Sequence, residues 1–337
     1  MTDLLVVGGG PVGLTASIEA RLAGLEVTVI EPREGAIDKA CGEGLMPGAL
    51  PLLHRLGVSP RGFPLRGVSY RDAKRNADHL FENGHGLGVR RTTLHRALHE
   101  RALELGVVMH AAKVDAITQS PDAVEAAGIT GSWMLGCDGL HSTVARLTGL
   151  ARPAPVQRRR YGLRRHYRVE PWSDLIEVHF NRFGEIYVTP TADGMVGLSL
   201  LARQHTDFAQ ALEASPELAA RVTGAEPATE LRGAGPFRQR TAARTKGRVL
   251  LVGDASGYVD AITGEGLRLG FEQARAAIDA VVTGSDYERA WSRITLDFRV
   301  LTSGLALAAA TPMHAAIVPL AAALPRVYRN AVEALAR

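Results

Sequence analysis

The chain has 337 residues, 46% of them hydrophobic and 22% charged, a globular composition long enough for about two domains. Its net charge of +4 comes from widely spread Arg and Lys. Only 158–168, RRRYGLRRHYR, is dense, and no helix-turn-helix, zinc-finger or RRM signature accompanies it, so no nucleic-acid partner is expected. The two cysteines, Cys41 and Cys137, have neither CxxC nor metal-ligand spacing; no metal site is expected, and the usage fits a reducing compartment. No basic leader precedes the first apolar run, which points to a cytoplasmic location.

Leu4 to Val7 reads as a short strand, followed by Gly8-Gly9-Gly10-Pro11-Val12-Gly13 and an amphipathic helix to Ala23. Gly24 caps that helix, and Glu26 to Ile30 is a second strand ending at Glu31. Strand, glycine turn, helix and strand within about thirty residues make a βαβ dinucleotide unit. Gly8 permits the tight turn, Gly10 lets a pyrophosphate approach the helix N-terminus, and Gly13 lets helix and strand pack closely. Glu31 stands where a carboxylate accepts from ribose hydroxyls and repels a 2′-phosphate, so FAD or NAD is expected rather than NADP. The loop after this unit reads ACGEGLMPG at 40–48, and Gly-Glu-Gly-Leu recurs at 264–267 inside TGEGLRLG.

The middle of the chain alternates apolar and polar residues between Gly and Asp-Gly turns, from GVSYRDAKRNADHLFENGHGLGVRR through EVHFN, GEIYVTPTADG and MVGLSLL. This pattern predicts an antiparallel sheet. The arginine cluster flanks its first strand, with Arg164, His166 and Arg168 on one face and Arg165 and Tyr167 on the other. It reads either as a solvated edge strand or as a polar pocket wall facing a phenolate. Tyr187 is equally open, between a sheet-face aromatic and a substrate contact.

Two later segments separate FAD from NAD. At 133–150, WMLGCDGLHSTVARLTGL runs from strand through Cys137-Asp138-Gly139 into a helix. At 249–272, VLLVGDASGYVDAITGEGLRLGFE runs from strand through Gly253-Asp254 to a second glycine pair entering a helix. An Asp at a strand end can hold a ribityl hydroxyl. Backbone N–H groups at the start of the Gly266 helix can face a ring carbonyl where negative charge develops on two-electron reduction.

These three segments resemble the fingerprints of the p-hydroxybenzoate-hydroxylase-like flavoproteins. The resemblance implies FAD, bound non-covalently by Gly8, Gly10, Val12, Gly13, Glu31, Arg33, Arg91 and Asp254, with Gly264, Gly266 and Leu267 on the flavin ring. Val114, Asp138 and Gly253 belong to the same implied site. Arg91 is carried over because RTTLHRALHERA resembles the family helix that sets a polar side chain on the pyrophosphate. The family pattern DGxxSxVR is altered here, since Ala145 follows Val144 and Arg146 comes one residue late.

The implied fold is α/β, a Rossmann-type, glutathione-reductase-like FAD domain with an antiparallel substrate sheet and C-terminal helices. The expected extents are 1–65, 90–155 and 243–285 for the FAD domain, 66–89 and 156–242 for the substrate domain, and 286–337 for the helical segment. In this family the two GEGL copies would approach the ring from different sides.

The implied activity is that of an NAD(P)H-using monooxygenase, hydroxylating an aromatic or polyketide-like lipophilic substrate with O2 through a flavin hydroperoxide. With no second dinucleotide motif, NAD(P)H would bind transiently. CGEG and TGEG also resemble the geranylgeranyl-reductase branch, which saturates isoprenoid double bonds and carries a Cys near the flavin. A flavin-binding module without turnover is the third reading. The absence of a WxWxIP segment argues against halogenation. Catalytic candidates on the flavin or substrate face are Cys41, Tyr187 and His166; Cys41 reads either as a proton donor or as a small residue against the cofactor. From Val300 to Pro325 there is no Asp, Glu, Lys or Arg, but Pro312 and Pro319 interrupt the run. Two short helices packed on the flavin domain are expected there, with peripheral membrane contact as the other reading.

Overall fold

The computed structural model describes residues 2–153 and 159–337; Arg158 of the arginine cluster and the expected domain junction at 155–156 lie outside them. The first strand, Thr2–Val7, is the centre of a parallel sheet. Its neighbours are Val27–Ile30 and then Val108–His110 on one side, Ile129–Gly136 and then Val249–Leu251 on the other. Leu4, Val6 and Val29 are fully buried beneath the helices Pro11–Leu22, Arg91–Glu104 and Gly266–Thr283. On the opposite face Leu5, Val7 and Ile30 pack with Val124 and Ala126, which belong to an antiparallel ribbon of short strands. Strands apolar on both faces are what a two-sided parallel sheet requires.

Pro11 at the first helical position has a preset φ and no N–H to leave unpaired, so the helix begins directly at the glycine turn. It ends at Leu22, and Gly24 turns the chain with φ +86°.

The second sheet runs Glu226–Pro227, Arg160–Arg168, Met195–Arg203, Gly184–Thr191, Leu175–Asn181, Gly67–Arg71, Asn76–Leu80. Its pairings are antiparallel except one: Leu175–Asn181 and Gly67–Arg71 run parallel, because the early 67–80 hairpin adds from a distant part of the chain. The solvated-edge reading of the arginine strand is corrected. Met195–Arg203 pairs along its whole length, and Arg232–Ala234 and Glu226–Pro227 cover its other side. Arg160, Arg164, His166 and Tyr167 are buried as a result.

The tail also departs from expectation. One long helix, Tyr287–Ala309, packs on the flavin side, where the Tyr287 hydroxyl donates to the Leu251 carbonyl at 2.9 Å. The chain then bends by 109°, and Ile317–Ala323 and Pro325–Ala336 lie on the second sheet instead. The cause is an apolar sheet face: Val318, Tyr328 and Val332 cover Val68, Ile176, Val178 and Phe180. The Gly48 N–H donates to the Ala336 carbonyl at 2.9 Å, which joins the tail to the front of the fold.

Candidate active site

Between the two sheets runs a cavity of about 810 Å³. One end is polar and lies against the glycine turn; the other is apolar and lies between the substrate sheet and the last helix.

At the polar end, Gly8 has φ +105°, and a Cβ there would stand 2.7 Å from the Cys137 carbonyl oxygen. A Cβ on Gly13 would meet the Gly8 carbonyl at 1.9 Å, so no side chain fits at either position. Gly10 instead has open space, bounded only by the Arg91 guanidinium at 4.0 Å. The first-turn N–H groups of a helix lack intrahelical acceptors, so an anion is favoured at this spot. Arg91 Nε is buried without a hydrogen-bond partner and lines the cavity there. That orphaned donor beside an uncapped helix start fits a pyrophosphate.

Glu31 is buried. Its carboxylate accepts from the Gly9 N–H at 2.9 Å and from Arg33 through the backbone N–H at 3.0 Å and Nε at 2.7 Å. Burial alone would raise its pKa, but the Arg33 bond and the two N–H bonds outweigh it and hold the group below its ordinary value. His95, which the sequence reading missed, props the same turn by bonding the Gly9 carbonyl through Nε2 at 2.9 Å. Its signal was available: it lies one helical turn after Arg91 in RTTLHRALHERA.

The two aspartates differ in what they already hold. Asp138 accepts from Ser142 Oγ at 2.5 Å and the Val144 N–H at 3.0 Å, closing the start of the Thr143–Leu147 helix. Ala145 is fully buried in that helix, so the family arginine has no room at 145, and Arg146 comes one residue later. Asp254 accepts no side-chain hydrogen bond among the described residues and lines the cavity. Burial raises its pKa, only partly offset by Lys39 and Arg91. Lys39 also lines the cavity and was not anticipated.

Gly253 (φ +65°) presses against Val12, whose methyls a Cβ would meet at 3.0 Å, and so joins the late turn to the first helix. Gly264 (φ +71°) has nothing within 4 Å of a Cβ. With Gly266 and Leu267 it lines the cavity at the start of the Gly266–Thr283 helix. Val114 and Arg33 line it as well.

The two GEGL copies meet at this one cavity. In the first, Ser199 Oγ donates to the Cys41 carbonyl at 3.0 Å and Thr189 Oγ1 to the Gly42 carbonyl at 2.7 Å, which hold the loop on the substrate sheet. Glu43 accepts from the Arg91 N–H at 2.8 Å and pairs with His166 Nε2 at 2.5 Å. In the second, Glu265 pairs with Arg268 Nε, and burial raises its pKa to about 7 against the pull of that arginine. Each copy offers glycine backbone to the cavity and commits its glutamate to an internal partner, Glu43 to His166 and Glu265 to Arg268.

Of the three catalytic candidates, Cys41 and Tyr187 line the cavity and His166 does not. His166 is 0% exposed, bonded on its other nitrogen to Thr229 Oγ1 and Arg164 at 3.1 and 3.0 Å. Its role is structural, because both ring nitrogens are occupied. Tyr187 donates its hydroxyl to the Ile262 carbonyl at 2.6 Å and serves as a wall. Arg164, the one arginine of the cluster among the described residues that lines the cavity, is already paired with Asp38. The residue the sequence did not single out is Tyr70. It lines the apolar end, packs at 5.1 Å on both Phe180 and Tyr328, and its hydroxyl has no protein partner among the described residues. Burial pushes its pKa up to about 12, with Glu185 adding to the shift.

A family model described as an FAD binding domain matches residues 1–282. The chain belongs to that family. FAD is its cofactor, and the flavoprotein resemblance and the α/β fold read from the sequence both hold. Among curated relatives, it is 26% identical over 297 residues to the dialkyldecalin synthase of Streptomyces rugosporus, covering 81% of this chain and 64% of that protein. It is 26% identical over 334 residues to the menaquinone reductase of Mycolicibacterium smegmatis, covering 86% and 79%. Against the rifampicin monooxygenase of Rhodococcus hoagii it is 31% identical over 161 residues, 44% of this chain and 33% of that protein. The chain thus spans less than two thirds of the length of the first and third. The fold matches that of p-nitrophenol 4-monooxygenase PnpA from Pseudomonas putida with TM-score 0.78 at 20% identity, covering 99% and 95% of the two chains.

The purified protein is expected to be yellow, with about one non-covalent FAD per chain. Asp254→Ala should lower FAD content more than Asp138→Ala, since losing a charge-assisted bond costs roughly 1.5–3 kcal/mol of cofactor binding. Flavin absorbance per chain after gel filtration, compared among folded fractions, measures this. Equal occupancy in the two variants would reverse the assignment.

Proposed function

We propose that the protein is an NAD(P)H-using FAD monooxygenase that hydroxylates a lipophilic aromatic substrate. The observation that supports it most is the continuity of the cavity: FAD-holding groups at one end run directly into an apolar chamber lined by Tyr70, whose hydroxyl has no protein partner among the described residues. FAD, when bound, supplies the two-electron redox and O2 chemistry. The rest is positioning by this chain. The first-turn N–H groups of the Gly266–Thr283 helix, which lack intrahelical acceptors, would hold a ring carbonyl of the bound cofactor. Asp254 takes a ribityl hydroxyl, and Arg91 with the Gly10 turn takes the pyrophosphate. Val68, Ile176, Val178 and Leu335 keep water from the reacting ring. Tyr70, neutral across the working pH range because its pKa is about 12, bonds a polar group on an otherwise apolar substrate. NAD(P)H visits transiently, and one oxygen atom of O2 enters the product while the other leaves as water.

A reductase of isoprenoid double bonds is the second reading. It is favoured by the similarity to the menaquinone reductase and by Cys41 at the cavity wall. Anaerobic reduction by NAD(P)H followed by O2, with candidate phenols present, tests the two. Oxygen uptake matched to hydroxylated product supports the monooxygenase, and saturated prenyl product without oxygen uptake supports the reductase. A flavin that no pyridine nucleotide bleaches would reduce the protein to a binding module.

Cys41→Ser separates the branches at matched FAD occupancy. A space-filling thiol predicts nearly unchanged product formation, whereas a proton-donating thiol predicts losses of ~10²–10⁴-fold. The first outcome is expected. Tyr70→Phe should raise KM for a phenolic substrate about 2- to 10-fold, the worth of one hydrogen bond, and leave flavin reduction without substrate unchanged. An unaltered KM would remove Tyr70 from the substrate site.

A further inference from the structure

Seven large apolar side chains between residues 296 and 327 face solvent, out of thirteen among the described residues. On the Tyr287–Ala309 helix, Trp291, Thr295, Phe298 and Thr302 form the buried stripe. The opposite stripe carries Leu296 (62% exposed), Val300 (65%) and Leu307 (51%), where a surface helix ordinarily places charge. Met313, Leu320, Leu324 and Val327 continue the exposure through the next two helices. Soluble monomers rarely leave so much apolar surface in one region without a partner.

Charge says which partner. Residues 287–337 contain six arginines and three acids. Of the acids, Glu288 is paired with Arg244 and Glu333 with His79. Arg293, Arg299 and Arg326 therefore flank the apolar run with only Asp297 unpaired among them. An apolar strip bordered by arginines suits the boundary between acyl chains and anionic headgroups. Among the described residues no single helix is long and apolar enough to cross a bilayer, and the 109° bend keeps the segment against the protein. The same C-terminal helix that exposes Val327 turns Val332 and Leu335 into the cavity wall.

The geometry points to a docking face on the C-terminal helices for an anionic lipid surface, placing the apolar chamber beside the phase in which an alkyl-bearing aromatic substrate dissolves. The substrate half of this inference rests on the monooxygenase reading; the docking half does not. Several such Leu and Val side chains buried among acyl chains, with arginines at the headgroups, suffice for reversible binding.

The test uses the FAD-loaded full chain with vesicles of phosphatidylcholine alone or mixed with phosphatidylglycerol, followed by flotation. Binding to the mixed vesicles, weakened by salt and at least tenfold weaker to phosphatidylcholine alone, is expected. Val300→Ser/Leu307→Ser/Val327→Ser should reduce binding tenfold or more at unchanged FAD content and unchanged NAD(P)H oxidation without vesicles. Failure of the parent protein to float, or equal flotation of the triple variant, would overturn the proposal. So would light scattering that shows a dimer broken by the triple variant, which would assign the face to a second copy of the chain. Flotation needs no turnover, so a protein that floats but hydroxylates nothing refutes the oxygenase reading and leaves the docking face standing.

Discussion

A buried carboxylate where the two sheets meet governs the geometry of the cavity. Glu43 sits at φ +59°, a conformation uncommon for a side-chain-bearing residue, and its oxygens bond the Arg91 N–H and His166 Nε2. The first partner belongs to the helix under the glycine turn and the second to the substrate sheet. One side chain therefore ties the helix beside the glycine turn to the second sheet across the cavity. Removing one member of a buried hydrogen-bonded pair leaves the other unsatisfied and costs about 1–3 kcal/mol. The Ser199 and Thr189 bonds to the same loop hold it so that Cys41, Gly42, Glu43 and Gly44 all line the cavity.

The second GEGL copy arrives at a similar arrangement on a different support. Its loop enters a helix of eighteen residues instead of lying on a sheet, and Glu265 is held by Arg268 one turn later. Each copy places glycine backbone on the cavity wall and holds the loop by a buried acid, so the four shared residues are either convergence on one requirement or chance. Nothing else in the surrounding elements repeats, so domain duplication has no support in the fold.

What the sequence made legible is what local physics determines. Gly8 and Gly13 are glycines because a Cβ would overlap a carbonyl, and that constraint appears in the spacing itself. Asp254 at a strand end was equally legible. What was not legible depends on distant partners. His166 looked like a pocket residue from strand alternation, and only the Glu43 loop, 123 residues away, removes it from the cavity. The arginine strand looked like an edge because the short strands that cover it carry no strong pattern of their own. Tyr70 was hidden for the opposite reason, since its significance is a hydroxyl without a partner. The tail misled because an Ala- and Leu-rich segment states that it will bury a face without stating against which sheet.

The polar end of the cavity is prepared unequally for its cofactor, and that inequality links binding to stability. At Glu31 the Arg33 guanidinium already takes lone pairs that ribose hydroxyls would use. Arg33 is 58% exposed, so it can move aside at small cost and return when the site empties. Asp254 has no such substitute. Its raised pKa means that the ionised form is held at a desolvation cost, which only partial attraction to Lys39 and Arg91 offsets. In this state the group favours the unfolded chain as pH rises above the ordinary Asp range, because the unfolded carboxyl ionises more readily. Ribityl hydroxyls bonded to Asp254, as proposed above, would reverse that balance by solvating the carboxylate from within the cavity. FAD binding would then do more than add contacts: it would relieve a buried charge the fold leaves open, and the stabilisation by ligand should be concentrated at the turn that joins the Val249–Leu251 strand to the second GEGL loop.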